Sequence, residues 1–379
     1  MPFSPADTVR RDVVPCSGGQ HGDRSPREGR SITAGDDMGR PRTFAQLNLP
    51  DAPGEELEAE LRPRTLAEFV GQLRVVENLR IAVKAAALRG EPLDHVLFSG
   101  LPGLGKTTLG GLLAHESGAR LHATSGPALS RPADLAGLLT GLERGDLLFI
   151  DEIHRLPVAV EEYLYGAMED FVIDVPIEQG LGARSVRLPL QPFTLVGATT
   201  REGRLTGAFR GRFGIREKLE PYPVLELVRI VARTAAILRT GLDPDACELV
   251  AVRSRGTPRV ANRILRRLRD LAQVRARDSI DVEIANEGLF RLGIDEFGLE
   301  ETDRRILGLL HRADGGALGV KTIAAGIGET EETIEEVYEP HLLRLELLRK
   351  TSRGRELTSQ GRRWCLDHAE PESKAREAG

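Results

Sequence analysis

The stretch Gly100-Leu101-Pro102-Gly103-Leu104-Gly105-Lys106-Thr107-Thr108 decides the fold of this chain. It follows a short apolar run at residues 95–99 and opens a predicted helix over residues 108–116. A glycine-rich loop between a strand and a helix is the setting of a P-loop. The glycines let successive backbone N–H groups point at a phosphate, and the helix N-terminus adds positive potential. The stretch therefore predicts an α/β nucleotide-binding domain with a parallel sheet.

Four side chains in two segments indicate hydrolysis of a nucleoside triphosphate. In the P-loop, Lys106 is predicted to reach the β- and γ-phosphates, and the Thr107 hydroxyl is predicted to ligate Mg²⁺. Downstream, Asp146-Leu147-Leu148-Phe149-Ile150-Asp151-Glu152-Ile153-His154 is a short apolar run that ends in acids. Asp151 is the candidate ligand of Mg²⁺, directly or through water, and Glu152 would polarise the attacking water. An ordinary strand that ends at an acidic turn is the competing interpretation of this segment.

Another predicted strand, residues 193–201, ends in the hydroxyls of Thr199 and Thr200. If this strand neighbours Asp151, either hydroxyl can bond the γ-phosphate or the attacking water; otherwise it is a turn residue. Arg212 is a candidate for an arginine that acts on the nucleotide of a neighbouring subunit. A surface arginine beside a buried Phe213 is the simpler interpretation of the sequence alone.

From residue 223 the strand pattern gives way to helices, predicted over residues 225–238, 242–254 and 260–277. Apolar residues form a stripe along the last of these, which is typical of a helix packed on a core. Residues 223–294 are therefore predicted to form a small helical lid over the nucleotide. Arg259, at the start of the long helix, can reach back to the γ-phosphate.

Residues 295–379 are predicted to form a third domain. Helices over residues 303–311, 320–327 and 330–343, followed by a basic turn, are typical of a winged helix. The third helix is rich in glutamate, which DNA phosphates repel. The basic turn, through Arg353 and Arg355, is therefore the predicted contact with the DNA backbone. A solvated charged loop is the alternative.

Composition sets further limits. The chain has 379 residues, 40% hydrophobic and 29% charged, which fits a soluble globular protein of two or three domains. Its net charge of −5 argues against a uniformly basic nucleic-acid-binding surface. The scattered cysteines, Cys16, Cys247 and Cys365, indicate neither a disulfide framework nor a zinc site. With no membrane span or signal peptide in the pattern, a cytoplasmic protein is expected. Residues 1–55 are predicted to be a disordered tail, in which Met38 is an alternative start.

The order of these motifs resembles that of the AAA+ ATPases, and the motifs themselves resemble the RuvB family. The resemblance is carried by GLPGLGKTT, LLFIDEIHRLP, AMEDF, PFTLVGATTR, RFGI and RGTPRVANR, and it extends from Leu61 to Arg355. It implies an AAA+ P-loop core at residues 56–222, followed by the lid and a winged-helix head. The implied activity is ATP-driven branch migration of Holliday junctions in recombination and repair. The implied assembly is a homohexameric ring around duplex DNA that works with RuvA and RuvC.

The resemblance also assigns roles to single residues. Arg212 becomes the arginine that acts in trans, Arg259 the second sensor, and Thr199 or Thr200 the first. Lys350 joins Arg355 as a DNA contact, and a predicted hairpin over residues 172–192 is expected to dock RuvA. Nucleotide contacts are implied for Leu61, Arg62, Gly103, Gly105, Lys106, Thr107, Thr108, Glu169, Asp170, Phe171 and Tyr222.

The sequence departs from the family pattern at four positions. Leu101 replaces a common proline, Gly110 and Gly111 weaken the helix after the P-loop, and Gly211 replaces a usual aspartate beside Arg212. Two rival functions remain open at this point. One is a clamp loader or remodeller that acts on proteins. The other is a winged-helix regulator in which the nucleotide is only a switch, although the intact acid pair argues against it.

Overall fold

A parallel sheet of five strands forms the centre of the first domain in the computed structural model, which describes residues 60–176, 185–313 and 316–368. The predicted tail, including Cys16 and Met38, lies outside the described residues. All described residues fall in one compact unit. In chain order the first domain contains α1 (Leu73–Arg89), β1 (Val96–Ser99), α2 (Lys106–Ser117), β2 (Leu121–Ser125), α3 (Pro132–Thr140), β3 (Leu147–Asp151), α4 (Val158–Glu169), β4 (Val172–Pro176), β5 (Ser185–Pro189), β6 (Thr194–Thr199), α5 (Gly207–Gly211) and β7 (Ile215–Lys218).

The strand order is β2-β3-β6-β1-β7, and every neighbouring pair is parallel. In the register, Ser99 lies opposite Thr199, and Ser125 lies opposite Asp151. Because β3 pairs with β6, the strand that ends in hydroxyls does neighbour the strand that ends in Asp151, as the prediction required. The carboxyl ends of β1, β3 and β6 therefore meet at one edge of the sheet, where ligands bind in such folds.

The apolar runs of the central strands explain their position. All residues of β1 and β6 are buried, as are Leu147 to Ile150 of β3, since helices cover both faces of a parallel sheet. Helix α2 approaches this sheet closely at Gly110. A Cβ atom there would lie 2.5 Å from Cδ2 of Phe149. The glycine that departs from the family pattern thus permits the close contact of α2 with β3.

The second domain is helical, as predicted, and contains one helix that the sequence pattern did not reveal. Its elements are α6 (Val224–Ile237), β8 (Gly241–Leu242), α7 (Pro244–Arg253), α8 (Pro258–Val274), β9 (Ser279–Ile280) and α9 (Val282–Arg291). The apolar stripe of α8 is buried at Ile264, Leu265 and Leu268. Asp281 caps the N-terminus of α9, since its carboxylate accepts a hydrogen bond from the Ile284 N–H at 2.8 Å.

The third domain is a winged helix, which confirms that prediction. It contains α10 (Glu301–Arg312), α11 (Val320–Ile327), a helical segment over residues 331–344, the antiparallel pair β10 (Leu348–Thr351) and β11 (Gly354–Leu357), and α12 (Ser359–Asp367). The helical segment was predicted as one regular helix, but Ile334–Tyr338 form a π turn. Pro340 has no N–H for the Glu336 carbonyl, so the α-helical bonding pattern is interrupted there.

The predicted helices agree with the observed ones to within three residues at each end. The predicted hairpin is also confirmed, since β4 and β5 pair in antiparallel register. The sequence also predicts helices over residues 73–88 and 156–171, which match α1 and α4. Four elements of the first domain were not predicted: β2, α3, α5 and β7. Within the described ranges, none of the helices combines the length and the apolar character that crossing a membrane requires.

Candidate active site

The loop between β1 and α2 has the backbone that a P-loop requires. Gly100, Gly103 and Gly105 all have positive φ, at 141°, 77° and 102°. At Gly103 a Cβ atom would lie 2.8 Å from Cγ2 of Thr257 and 2.9 Å from Cβ of Arg259. The second domain therefore packs directly on the loop, and glycine is needed there both for its conformation and for this contact.

Lys106 is buried inside this loop. Its Nζ donates hydrogen bonds to the carbonyl oxygens of Gly100 at 2.7 Å and Leu101 at 2.9 Å. Burial lowers the pKa of Lys106, while the nearby charges of Glu152, Asp151 and Glu336 oppose that shift. The ammonium group is thus held at the centre of the loop, surrounded by carboxylates, and is positioned to bind phosphate.

Thr107 and Asp151 form a pair of oxygen ligands at the edge of the sheet. The Thr107 hydroxyl lies 3.4 Å from Oδ2 of Asp151, and the other carboxylate oxygen accepts the Glu152 N–H at 3.0 Å. Two ligands of one octahedral Mg²⁺ ion lie about 3 Å apart. A hydroxyl and a carboxylate are also the hard oxygen donors that Mg²⁺ prefers. The two side chains therefore fit the predicted metal.

Asp151 and Glu152 have opposite electrostatic environments. Burial and the charge of Glu152 raise the pKa of Asp151 above its ordinary value. Burial also disfavours ionisation of Glu152, but the hydrogen bond with His154 and the charge of Lys106 outweigh it and hold the pKa of Glu152 below its ordinary value. Glu152 is therefore ionised near neutral pH, as a base must be before it accepts a proton.

The structure separates the roles of the two threonines at the end of β6. Thr200 donates from its hydroxyl to Oε2 of Glu152 at 3.1 Å. Thr199 is fully buried, and its hydroxyl lies 2.9 Å from Nδ1 of His154 and accepts the Arg201 N–H at 3.0 Å. Thr200 is thus the residue brought to the candidate base, whereas Thr199 shapes the strand end.

His154 connects these residues and was not predicted. Its Nδ1 lies 3.2 Å from Oε2 of Glu152 and 2.9 Å from the Thr199 hydroxyl. His154 therefore links the candidate base to the end of β6. Its only signal in the sequence was its place two residues after the acid pair. Histidine in that position is not distinguishable from an ordinary turn residue without the fold.

Arg212 follows α5 and contacts residues other than the P-loop. Its guanidinium donates to the Ala208 carbonyl at 2.7 Å and to Glu169 at 3.2 Å, and it lies 4.2 Å from the centre of the Tyr165 ring. Nε of Arg212 is buried and has no hydrogen-bond partner among the described residues. Arg212 and Glu169, both predicted site residues, therefore pair with each other, and both lie far from Lys106 in the sequence.

Tyr222 and the Leu61–Arg62 pair lie where the first and second domains meet. The Tyr222 hydroxyl donates to the P-loop carbonyl of Leu104 at 3.2 Å, and burial raises the pKa of Tyr222. The carbonyl oxygens of Leu61 and Arg62 accept from Arg233 of α6, at 2.7 and 3.5 Å. Tyr222 thus borders the P-loop, whereas Leu61 and Arg62 are held to α6 of the second domain.

The other residues that were predicted to contact the nucleotide lie in different surroundings from one another. Arg259 lies in the first turn of α8 beside Gly103, and it is exposed. Thr108 continues α2 after Thr107. Phe171, by contrast, packs against His95 and Phe193, at 6.4 and 6.0 Å between ring centres. Asp170 follows α4 as its C-terminal cap.

The predicted DNA contacts differ in their availability. Lys350 lies 2.6 Å from Glu339, and Arg355 pairs with both Glu339 and Glu335, leaving its side chain 13% exposed. Arg353, at the tip of the turn, is exposed. Two of the three cations are therefore bound by acids of their own domain.

Comparison with known proteins gives matches over nearly all of the described region. Residues 61–219 match the Holliday junction DNA helicase RuvB P-loop domain, residues 222–295 the RuvB AAA lid domain, and residues 296–365 the RuvB C-terminal winged helix domain.

Individual relatives agree with these domain matches. The Holliday junction branch migration complex subunit RuvB of Prosthecochloris aestuarii is 54% identical over 322 residues, which are 84% of this chain and 94% of the relative. That of Myxococcus xanthus is 56% identical over 317 residues, covering 83% and 92%. The solved structure of the Thermotoga maritima RuvB Holliday junction branch migration motor superimposes with a TM-score of 0.74 at 46% identity, covering 81% of this chain and 98% of that one.

Proposed function

The chain belongs to the RuvB family, and we propose that it is the ATP-hydrolysing subunit of a motor that drives branch migration of Holliday junctions. The single observation that carries the proposal is the arrangement at the carboxyl edge of the sheet. There the P-loop lysine, the Thr107–Asp151 pair and the ionised Glu152 with its Thr200 partner lie together.

The proposed reaction is hydrolysis of ATP to ADP and phosphate. A water oxygen forms a bond to the γ-phosphorus while the bond from that phosphorus to the bridging oxygen of ADP breaks. Glu152 accepts a proton from the water, and the electron pair of the broken bond stays on the ADP oxygen. The lowered pKa of Glu152 supports this role, and the hydroxyl of Thr200 holds its carboxylate in place.

The remaining site residues bind and orient the substrate. Lys106 contributes positive charge to the β- and γ-phosphates. Thr107 and Asp151 would hold Mg²⁺, which when bound neutralises charge on the phosphates. Arg259 approaches from the lid, and Tyr222 borders the loop on the same side.

Assembly into a ring is supported by Arg212. Its side-chain contacts among the described residues are with Ala208, Glu169 and Tyr165, so it does not serve the P-loop of its own chain. An arginine with an unpartnered buried Nε, outside its own nucleotide loop, fits action on the nucleotide of an adjacent subunit. We propose a homohexamer on this basis and on the family resemblance.

The proposed substrate is the four-way DNA junction with its duplex arms. Arg353, Lys350 and Arg355 are the proposed backbone contacts, which give affinity without sequence preference. The β4–β5 hairpin, on which Val186 is exposed, is the proposed docking element for RuvA, and RuvC is the proposed resolvase partner.

An ATP-dependent branch-migration assay on a synthetic four-way junction, with and without RuvA, tests the proposal. Conversion of the junction to duplex products that requires ATP, DNA arms and RuvA supports it. ATP hydrolysis that is indifferent to DNA supports a remodeller of proteins instead. DNA binding without turnover supports a nucleotide-switched regulator. Either of the last two results would overturn the motor function.

A further inference from the structure

The acidic helical segment of the third domain, residues 331–344, packs against the catalytic edge of the first domain. Glu336 pairs with Nε of Arg201, and Glu335 lies 3.5 Å from Nη2 of the same arginine. Glu336 also accepts from the Thr200 hydroxyl at 3.4 Å. These glutamates lie on the helical segment that DNA phosphates are predicted to repel, and in the structure they contact the ATPase site instead.

The Thr200 hydroxyl has one proton and two competing acceptors. Oε2 of Glu152 lies 3.1 Å from its oxygen, and Oε1 of Glu336 lies 3.4 Å away. A hydroxyl can donate only one full hydrogen bond. Every hydrogen bond made to Glu336 is therefore lost to Glu152, the proposed base.

Glu336 also adds negative charge where a polyphosphate must bind. Its carboxylate acts on Lys106 together with those of Glu152 and Asp151. At a partly buried site such charges are poorly screened, so a third carboxylate repels the phosphates that Lys106 attracts.

Arg201 holds Glu336 in this position. Its side chain is 15% exposed, and its backbone N–H is bonded to the Thr199 hydroxyl, which fixes it to the end of β6. Glu336 itself lies in the π turn that precedes Pro340. π turns add a residue to the helical repeat and re-aim side chains, and they occur often at functional sites.

We propose that Glu336 is a positioning residue for ATP hydrolysis. Held by Arg201, it competes with Glu152 for the Thr200 hydroxyl, adds negative charge beside Lys106, and slows turnover while the winged-helix domain is docked on the ATPase domain. The inference rests on the proposed function, since it concerns the same hydrolytic site. The helical segment also carries Glu335 and Glu339, which bind Arg355 and Lys350 of the proposed DNA contact. DNA that binds Arg355 and Lys350 would compete for these glutamates and so act on the segment that carries Glu336.

The test is the steady-state ATPase of the full chain, without DNA and with linear duplex. Glu336→Gln keeps the size of the side chain but weakens both of its contacts. We expect roughly a fivefold rise in the DNA-free kcat, the change that corresponds to about 1 kcal/mol in the barrier, and a smaller stimulation by duplex. Glu331→Gln, an exposed change on the same segment, is the matched control and should leave both rates unchanged.

Arg201 provides an independent variant. Arg201→Gln should also raise the DNA-free kcat, whereas Arg201→Lys, which keeps the cation, should leave it near the wild-type value. The double variant Arg201→Gln with Glu336→Gln should have the same DNA-free kcat as Glu336→Gln alone, because both changes break the same Arg201–Glu336 contact.

The outcomes separate this inference from the proposed function. An active wild type whose DNA-free kcat is unchanged or lowered by Glu336→Gln overturns the role of Glu336 and leaves the motor function standing. Additive effects in the double variant overturn the pairing with Arg201. A wild type that binds ATP but never hydrolyses it overturns both.

Discussion

Replacement of Gly103 by alanine should loosen the lid from the phosphate loop. The φ of 77° at this position costs an L-residue about 1–2 kcal/mol. The new Cβ would also lie within 3 Å of Thr257 Cγ2 and Arg259 Cβ, so α8 must shift outward. Overpacking of this kind costs about 1–3 kcal/mol. The summed loss of folding free energy is therefore about 2–5 kcal/mol.

The functional effect should follow from the position of Arg259. Because this residue lies in the first turn of α8, an outward shift of the helix carries it away from the loop. ATP affinity should therefore fall by about tenfold or more, which corresponds to about 1.4 kcal/mol. Urea unfolding followed by circular dichroism measures the stability, and equilibrium binding of a fluorescent ATP analogue measures the affinity.

The matched control is Gly137→Ala, which makes the same chemical change inside α3. A Cβ atom at Gly137 meets nothing within 4 Å, and its backbone is helical. Alanine should therefore stabilise the protein there by up to about 1 kcal/mol and leave ATP binding unchanged. If Gly103→Ala were as stable as the wild type and bound ATP equally well, the inferred contact between lid and loop would be refuted.

Four further substitutions test the site. Lys106→Ala should abolish turnover and weaken ATP binding, and a near-normal ATPase rate would contradict its role. Glu152→Gln should bind ATP without cleaving it, seen as stable nucleotide-loaded rings; phosphate release at the wild-type rate would exclude Glu152 as the base. Arg212→Ala should regain activity when mixed with excess Glu152→Gln subunits, which keep Arg212, and absence of recovery would count against action in trans. Arg353→Ala should weaken duplex binding and reduce the slope of its salt dependence by about one, and an unchanged slope would exclude a phosphate contact.

Much of the fold could be predicted because its central elements have strong local signals. Strands β1, β3 and β6 are buried on both faces and appear as continuous apolar runs. The unpredicted strands lie at the edges of the sheet. β7 reads Ile-Arg-Glu-Lys, and only Glu217 of it is buried. β7 is a strand because it pairs with β1, and this contact between distant segments leaves no local pattern in the sequence.

The P-loop residues and the acid pair could be predicted because each motif is contiguous. Lys106 and Thr107 belong to one loop, and Asp151 with Glu152 end one strand, so the chain itself brings the members together. The choice between Thr199 and Thr200 needed the structure, since successive side chains point to opposite faces of a strand. The direction of the strand end decides that Thr200 faces Glu152.

The contacts that sequence reasoning missed join segments far apart in the chain. The Thr200–Glu336 hydrogen bond spans 136 residues. The negative charge of the helical segment does not predict that Thr200 and Arg201 are its partners. From the sequence, the acidic residues of that helix predict only that DNA phosphates are repelled. An acidic surface that DNA phosphates repel is, for the same electrostatic reason, suited to pair with an arginine of another domain. The feature that keeps the helix from DNA thus supplies its contact with Arg201, so repulsion from one partner and attraction to another are one property of these glutamates.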